Sequence, residues 1–174
     1  MNPEALVLEV PDLSTEQIRL RPWRVDDAPS LSRAWHDPAI IAGSTPPADC
    51  SVAAAARWIE GCDERRRAGV AFDLVIAAAS DERVLGEVGF SRFDADRLAV
   101  LMGWWVHEEA RGAGVATAAV SLVVEWVLAS TWIDHVLAEI GEENHASQAV
   151  ARSAGFAALK PGVWCRSLPS RSIE

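Results

Sequence analysis

The stretch Val106-His-Glu-Glu-Ala-Arg111-Gly-Ala-Gly114-Val-Ala116 (VHEEARGAGVA, residues 106–116) decides how this chain is read. It leaves an apolar run, Leu98–Val106, that reads as a strand. It then enters the clearest helical pattern in the chain, with Val115, Ala118, Ala119, Leu122, Val123, Trp126 and Val127 on one face. A strand that passes through a glycine-bearing loop straight into a helix turns several N–H groups in one direction. Those orphan donors and the positive end of the helix dipole make an anion site. Gly112 and Gly114 remove Cβ atoms where a phosphate would approach the main chain, and Arg111 adds a charge-assisted donor. The same glycines would also serve a plain helix cap. Neither GxxxxGK[ST] nor GxGxxG is present, which excludes those two nucleotide-binding loops.

Outward from this segment the chain alternates strands and helices. Gln17–Trp23 alternates as a first strand, and Asp26 and Asp27 open a short helix to about Ala34. Asp37–Asp49, with Asp37-Pro38, Gly43 and Pro46-Pro47, reads as a loop. A helix from Ser51 presents Val52, Ala55, Ala56, Ile59 and Cys62 on one face and ends near the charged run 63–67. Ala71–Ala78, Val84–Phe93 and Leu98–Val106 form an antiparallel meander. After the long helix come a strand (His135–Ile140), a helix (Asn144–Ala154) and two strands near Phe156–Lys160 and Val163–Leu168. The expectation is a lead-in over residues 1–16 and one mixed α/β domain over 17–174, with an antiparallel half and a strand–helix–strand crossover.

Composition narrows the function classes. The 174 residues are one domain's worth, half of them apolar. The longest apolar stretch, Ala113–Val124, carries Thr117 and Ser121 and runs into Glu125, so no membrane span is expected. The opening MNPEALVLEV has no basic segment and does not read as a signal peptide. Cys50, Cys62 and Cys165 have no ligand spacing, which argues against a metal site or a disulfide framework and for a reduced cytoplasm. A net charge of −9 argues against nucleic acid as a partner and suits a cationic one. Eight tryptophans stand beside no tyrosine, so a phenol has no part in the chemistry.

Three segments in order carry a family resemblance: Arg111-x-x-Gly114-x-Ala116 after Trp104-Trp105-Val106, then Asn144-x-x-Ser147, then Gly155-Phe156. The combination resembles the GNAT superfamily of acyl-CoA-dependent N-acetyltransferases, in its RimJ/RimL-like branch, over roughly residues 17–160. The resemblance implies a single-domain α/β fold, a mixed, mostly antiparallel sheet with splayed central strands and flanking helices. It implies acetyl-CoA as co-substrate, no metal, and transfer of acetyl to a primary amine by direct attack in a ternary complex. The acceptor would be a protein N-terminus or a small amine, and the chain a monomer or homodimer.

By the same resemblance, Arg111, Gly112, Ala113, Gly114, Val115 and Ala116 wrap the coenzyme A pyrophosphate. The main chain at Trp105 and Val106, at a bulge, pairs with the pantetheine arm. The Val106 amide lies near the thioester carbonyl, and Asn144 bonds the pantetheine amides. Many members protonate the leaving thiolate with a tyrosine where this chain has Ala151. Ser147 fills the alternative position used in the branch, either as that acid or only as a hydrogen-bonding residue. Related sequences often carry an acid where Leu101 stands. The candidates left for a base are Glu87 first and Glu139 second, each also readable as a solvated strand residue, and water could carry the proton instead. His107, leading into the loop, reads as structural. A silent acyl-CoA-binding module, and transfer of a larger acyl group such as succinyl, are the alternative readings.

Overall fold

In the computed structural model, which describes residues 8–168, the alternating stretches form one eight-stranded sheet. The strands are β1 (Leu13–Ser14), β2 (Ile18–Pro22), β3 (Ala71–Ala78), β4 (Val84–Asp94), β5 (Ala99–Val106), β6 (His135–Glu139), β7 (Ala157–Lys160) and β8 (Val163–Ser167). They lie in the order β1-β2-β3-β4-β5-β6-β8-β7. Every neighbouring pair is antiparallel except β5 and β6, whose connection crosses over through a helix and makes them parallel.

The helices are α1 (Ala28–Ala34), α2 (Pro38–Ile41), α3 (Val52–Glu60), α4 (Cys62–Arg67), α5 (Val115–Ser130) and α6 (His145–Ser153). Strand alternation assigns them to two layers. In β3, Leu74 and Ile76 point into the larger core with Val88, Phe90, Met102 and the α5 residues Val120, Val123 and Val127. Val75 and Ala77 point the other way, onto Trp23, Leu31, Ala55 and Ile59 of the α1–α3 layer. A strand buried on both faces loses the polar half of its alternation, which is why β3 is apolar almost throughout. Among the described residues no helix is long and apolar enough to cross a membrane.

Three elements differ from the sequence reading. Leu8 is buried in the core and Leu13–Ser14 pairs with β2, within the stretch read as lead-in. The loop 37–49 contains α2, started by Pro38 and capped by the Asp37 carboxylate, which accepts the Ala39 N–H at 2.8 Å. The charged run after α3 is itself helical as α4, because Asp63 and Glu64 occupy its first turn and Arg65–Arg67 its last.

The sheet opens between its central strands. β5 and β6 pair only from Ala99↔His135 to Met102↔Ala138, whereas β4 and β5 stay paired as far as Gly86↔Val106. The expected bulge at Trp105–Val106 is absent: the β4–β5 register is unbroken from Gly86↔Val106 to Ser91↔Leu101. The opening comes from β6 parting, and the irregularity in the β4–β5 ladder falls between Ser91 and Asp94, where Arg92 has φ +50°.

Candidate active site

Gly112 and Gly114 have φ of +74° and +77°, the left-handed region in which glycine carries no penalty, and Gly114 is the residue from which α5 starts. Their backbone turns a row of donors outward. Among the described residues the amides from Gly112 to Thr117 have no protein acceptor, and the first bonded amide is Ala118, which donates to the Gly114 carbonyl. A Cβ added at either glycine would meet no protein atom within 4 Å. This is an open cradle of N–H groups at the positive end of a sixteen-residue helix, built for an anion.

Antiparallel pairing sets what faces the strand opening. The His107 amide donates to the Leu85 carbonyl at 2.8 Å, and bonded pairs alternate along the ladder. The main-chain groups of Trp105 therefore face β4, and those of Trp104 and Val106 face the opening. A cavity of about 480 Å³ runs from the Gly112–Thr117 cradle along Trp104–Val106 to Asn144, Ser147 and Val150 of α6. A second of about 470 Å³ lies along Gly103, Trp104 and the segment 138–144. Trp104, Asn144, Ser147 and the α2 segment residues Ala39 and Gly43 line both.

The acetyltransferase (GNAT) domain family matches residues 17–157, most of the chain and the whole of this geometry. The chain belongs to the GNAT acetyltransferase family. It is an N-acetyltransferase, and GNAT acetyltransferases use acetyl-CoA. It is 24% identical over 144 residues to the uncharacterized N-acetyltransferase p20 of Bacillus licheniformis, covering 83% of this chain and 81% of that protein. In fold it resembles the microcin C7 self-immunity acetyltransferase MccE, solved with acetyl-CoA and AMP: TM-score 0.75, 19% identity, 88% of this chain and 94% of that one. It is equally similar to Mycobacterium smegmatis RimJ, solved with CoA-disulfide: TM-score 0.76, 20% identity, 88% and 83%.

Within this GNAT domain, Trp105, Val106, Arg111, Gly112, Gly114, Val115, Ala116, Asn144 and Ser147 all line the first cavity. Ala113 does not, and its carbonyl accepts from the Gln17 side chain at 3.3 Å. Arg111 is tied down: its guanidinium donates to Asp37 at 2.6 Å and to the Val106 carbonyl at 3.2 Å. Burial works to raise the Asp37 pKa, but the Ala39 amide and the Arg111 guanidinium hold it below its ordinary value. The Asn144 Oδ1 accepts the Ser147 N–H at 3.0 Å, so this asparagine caps α6, and the residue lines both cavities. His107 is buried and bonded to Ser30 Oγ at 2.8 Å, and burial pushes its pKa down to about 4.

The two acid candidates lie apart. Glu139 lines the second cavity and pairs with Arg92 at 3.2 Å. Glu87 lines neither cavity. Its oxygens accept the indole N–H groups of Trp23 at 2.8 Å and Trp105 at 3.1 Å. Burial, then the Asp73 charge, pushes its pKa up to about 8 against those two bonds. Sequence reasoning missed Asp73, Arg65 and Trp23 around Glu87 and the α2 wall of both cavities. An acid at mid-strand in the apolar run Phe72–Ala78 was the one signal available for Asp73.

Proposed function

We propose that this chain transfers an acetyl group from acetyl-CoA to a cationic primary amine, by direct attack with both substrates bound. The observation that supports this best is the meeting of two cavities at Trp104, Asn144 and Ser147, one of them ending in the Gly112–Thr117 cradle. The residues fit the co-substrate: open amides for its phosphates, main-chain groups at Trp104 and Val106 for its extended arm and acyl end, and Asn144 for its amides. When bound it supplies an activated acetyl carbonyl.

The protein's own groups then have distinct tasks. The Val106 N–H donates to the carbonyl oxygen as charge develops on it, a contribution that grows toward the transition state. The Ser147 hydroxyl, on the first turn of α6, gives the departing sulfur its proton. Glu139, on the wall of the second cavity, takes the proton that frees the arriving ammonium to attack, directly or through water, and releases it to solvent. The second proton, lost from nitrogen after attack, replaces the one that Ser147 gives to sulfur. Glu142 and Glu143 line the same cavity, and with the net charge of −9 they favour an acceptor that arrives positively charged.

The test is release of free thiol from acetyl-CoA and succinyl-CoA over a panel of polyamines, aminoglycosides, basic and acidic peptide N-termini and neutral amines, at two salt concentrations. The cationic amines should react fastest, with apparent affinities that fall as salt rises, since exposed charges are screened beyond about 8 Å at physiological ionic strength. A preference for acidic acceptors, indifferent to salt, would refute the cationic reading. Tight acetyl-CoA binding with no thiol release from any amine would refute the transfer itself.

A further inference from the structure

Glu87 is a half-buried acid bonded to Trp105 of the cofactor cavity, and the reaction as proposed gives it no proton to move. Its two oxygens are claimed by different layers of the molecule. Oε1 accepts from Trp105, which lines the first cavity and packs edge-on against His107 at 5.1 Å. Oε2 accepts from Trp23, which packs edge-on against Trp58 of α3 at 6.2 Å. Trp58 in turn meets Trp35, at the end of α1, edge-on at 6.3 Å. Two residues beyond Trp35, the Asp37 carboxylate caps α2, and Ala39 of α2 lines both cavities.

One carboxyl thus joins the β5 wall of the cavity to the helical layer that carries the opposite wall. The strands are drawn close there, because a Cβ at Gly86 would strike the Trp105 carbonyl. The charged and titratable groups facing Glu87 are Asp73 from β3 and Arg65 from α4, which lies 3.9 Å from Asp73, with Cys62 beside Arg65.

We infer that Glu87 is a positioning residue: by holding the Trp23 and Trp105 indoles together it fixes the spacing of the β5 and α2 walls of the acyl-CoA cavity. This rests on reading that cavity as the acyl-CoA site. A neutral glutamine at the position keeps one acceptor oxygen but sets an NH2 group against the other indole N–H, leaving a buried donor unpaired.

The experiment is a double-mutant cycle of Glu87→Gln and Trp105→Phe, reading the acetyl-CoA dissociation constant by calorimetry together with KM and kcat. Glu87→Gln should weaken acetyl-CoA binding by about tenfold, if part of the cost of the unpaired donor is expressed as displacement of the two walls. Turnover at saturation should change by less than roughly threefold, as expected when only uniform binding is lost. In the Trp105→Phe background, which keeps an aromatic ring but has no N–H, the same substitution should weaken binding much less. Equal penalties in both backgrounds would overturn the inference. So would a collapse of kcat with unchanged acetyl-CoA affinity, which would mark Glu87 as the base. If the parent protein itself does not bind acetyl-CoA, the reading of the cavity falls, and this inference with it.

Discussion

At the scale of single residues, the proposed chemistry turns on Ser147. Its amide is fixed to Asn144 Oδ1, so the first turn of α6 is locked while the half-buried hydroxyl stands where the two cavities meet. Ala151, one turn further on, is fully buried in the main core and has no polar atom to offer. If Ser147 supplies the leaving group's proton, Ser147→Ala should lower turnover by roughly a hundredfold, the lower range for a positioned acid. Acetyl-CoA affinity should change little, because the bond matters mainly in the transition state. Rapid single-turnover kinetics beside calorimetry separates the two quantities. Losses of equal size in both would leave Ser147 as a binding residue only.

At the scale of elements, the start of α5 is where backbone shape and the proposed ligand meet. Gly114 sits at φ +77° with open space around an added Cβ, so a substitution there is tested by the backbone first and the ligand second. Asparagine tolerates the left-handed region better than most residues, whereas glutamate brings backbone strain together with a negative charge at an anion site. Gly114→Asn should remain folded and bind coenzyme A with modestly reduced affinity. Gly114→Glu should remain folded by circular dichroism and show no binding by calorimetry. Equal affinity in the two variants would mean that the loop does not hold the phosphates. This element was legible in the sequence because its evidence is local: a period-two strand, two glycines and a 3.6-residue repeat follow one another without interruption. The meander and the parallel crossover were legible for the same reason. The helical α4 was missed because a charged run breaks no helix when its acids lead and its arginines follow. The α2 wall was missed because four residues show no period. The Trp23–Glu87–Trp105 tie was beyond reach because its partners are 64 and 18 residues apart, joined only by sheet register and layer packing.

At the scale of the whole molecule, the enclosed ionisable groups give stability a pH profile in which one window belongs mainly to one residue. Burial, followed by the Asp73 charge, raises Glu87 from 4.5 to about 8, and burial raises Asp73 from 3.8 to about 6. In each case the native state keeps a proton that the unfolded chain releases. The stability this brings is fully present below the unfolded pKa and drains away as pH rises through the folded one. Burial lowers His107 from 6.5 to about 4, so its contribution has the opposite sign, and stability rises with pH between those values. Below pH 6.5 the acids and His107 therefore oppose one another. Cys62, raised by burial from 9.0 to about 12, matters only above pH 9. From pH 6.5 to 8 the largest transition among these groups belongs to Glu87, with the ends of the His107 and Asp73 transitions opposing one another near pH 6.5. Stability should fall across that window with a slope of at most about 1.4 kcal/mol per pH unit for one retained proton. For a chain of this size that is about 3–6 °C in thermal midpoint per pH unit. Glutamine cannot ionise, so Glu87→Gln should start from a lower midpoint at pH 6.5 and lose much less of it by pH 8.5. The general repulsion within a chain of net charge −9 is nearly the same in both proteins, so their difference reports the Glu87 carboxyl together with its coupling to Asp73. Parallel curves, measured by differential scanning calorimetry at fixed ionic strength, would mean that Glu87 is already ionised in the folded protein at neutral pH, with two indole donors and Arg65 sufficient to hold its charge.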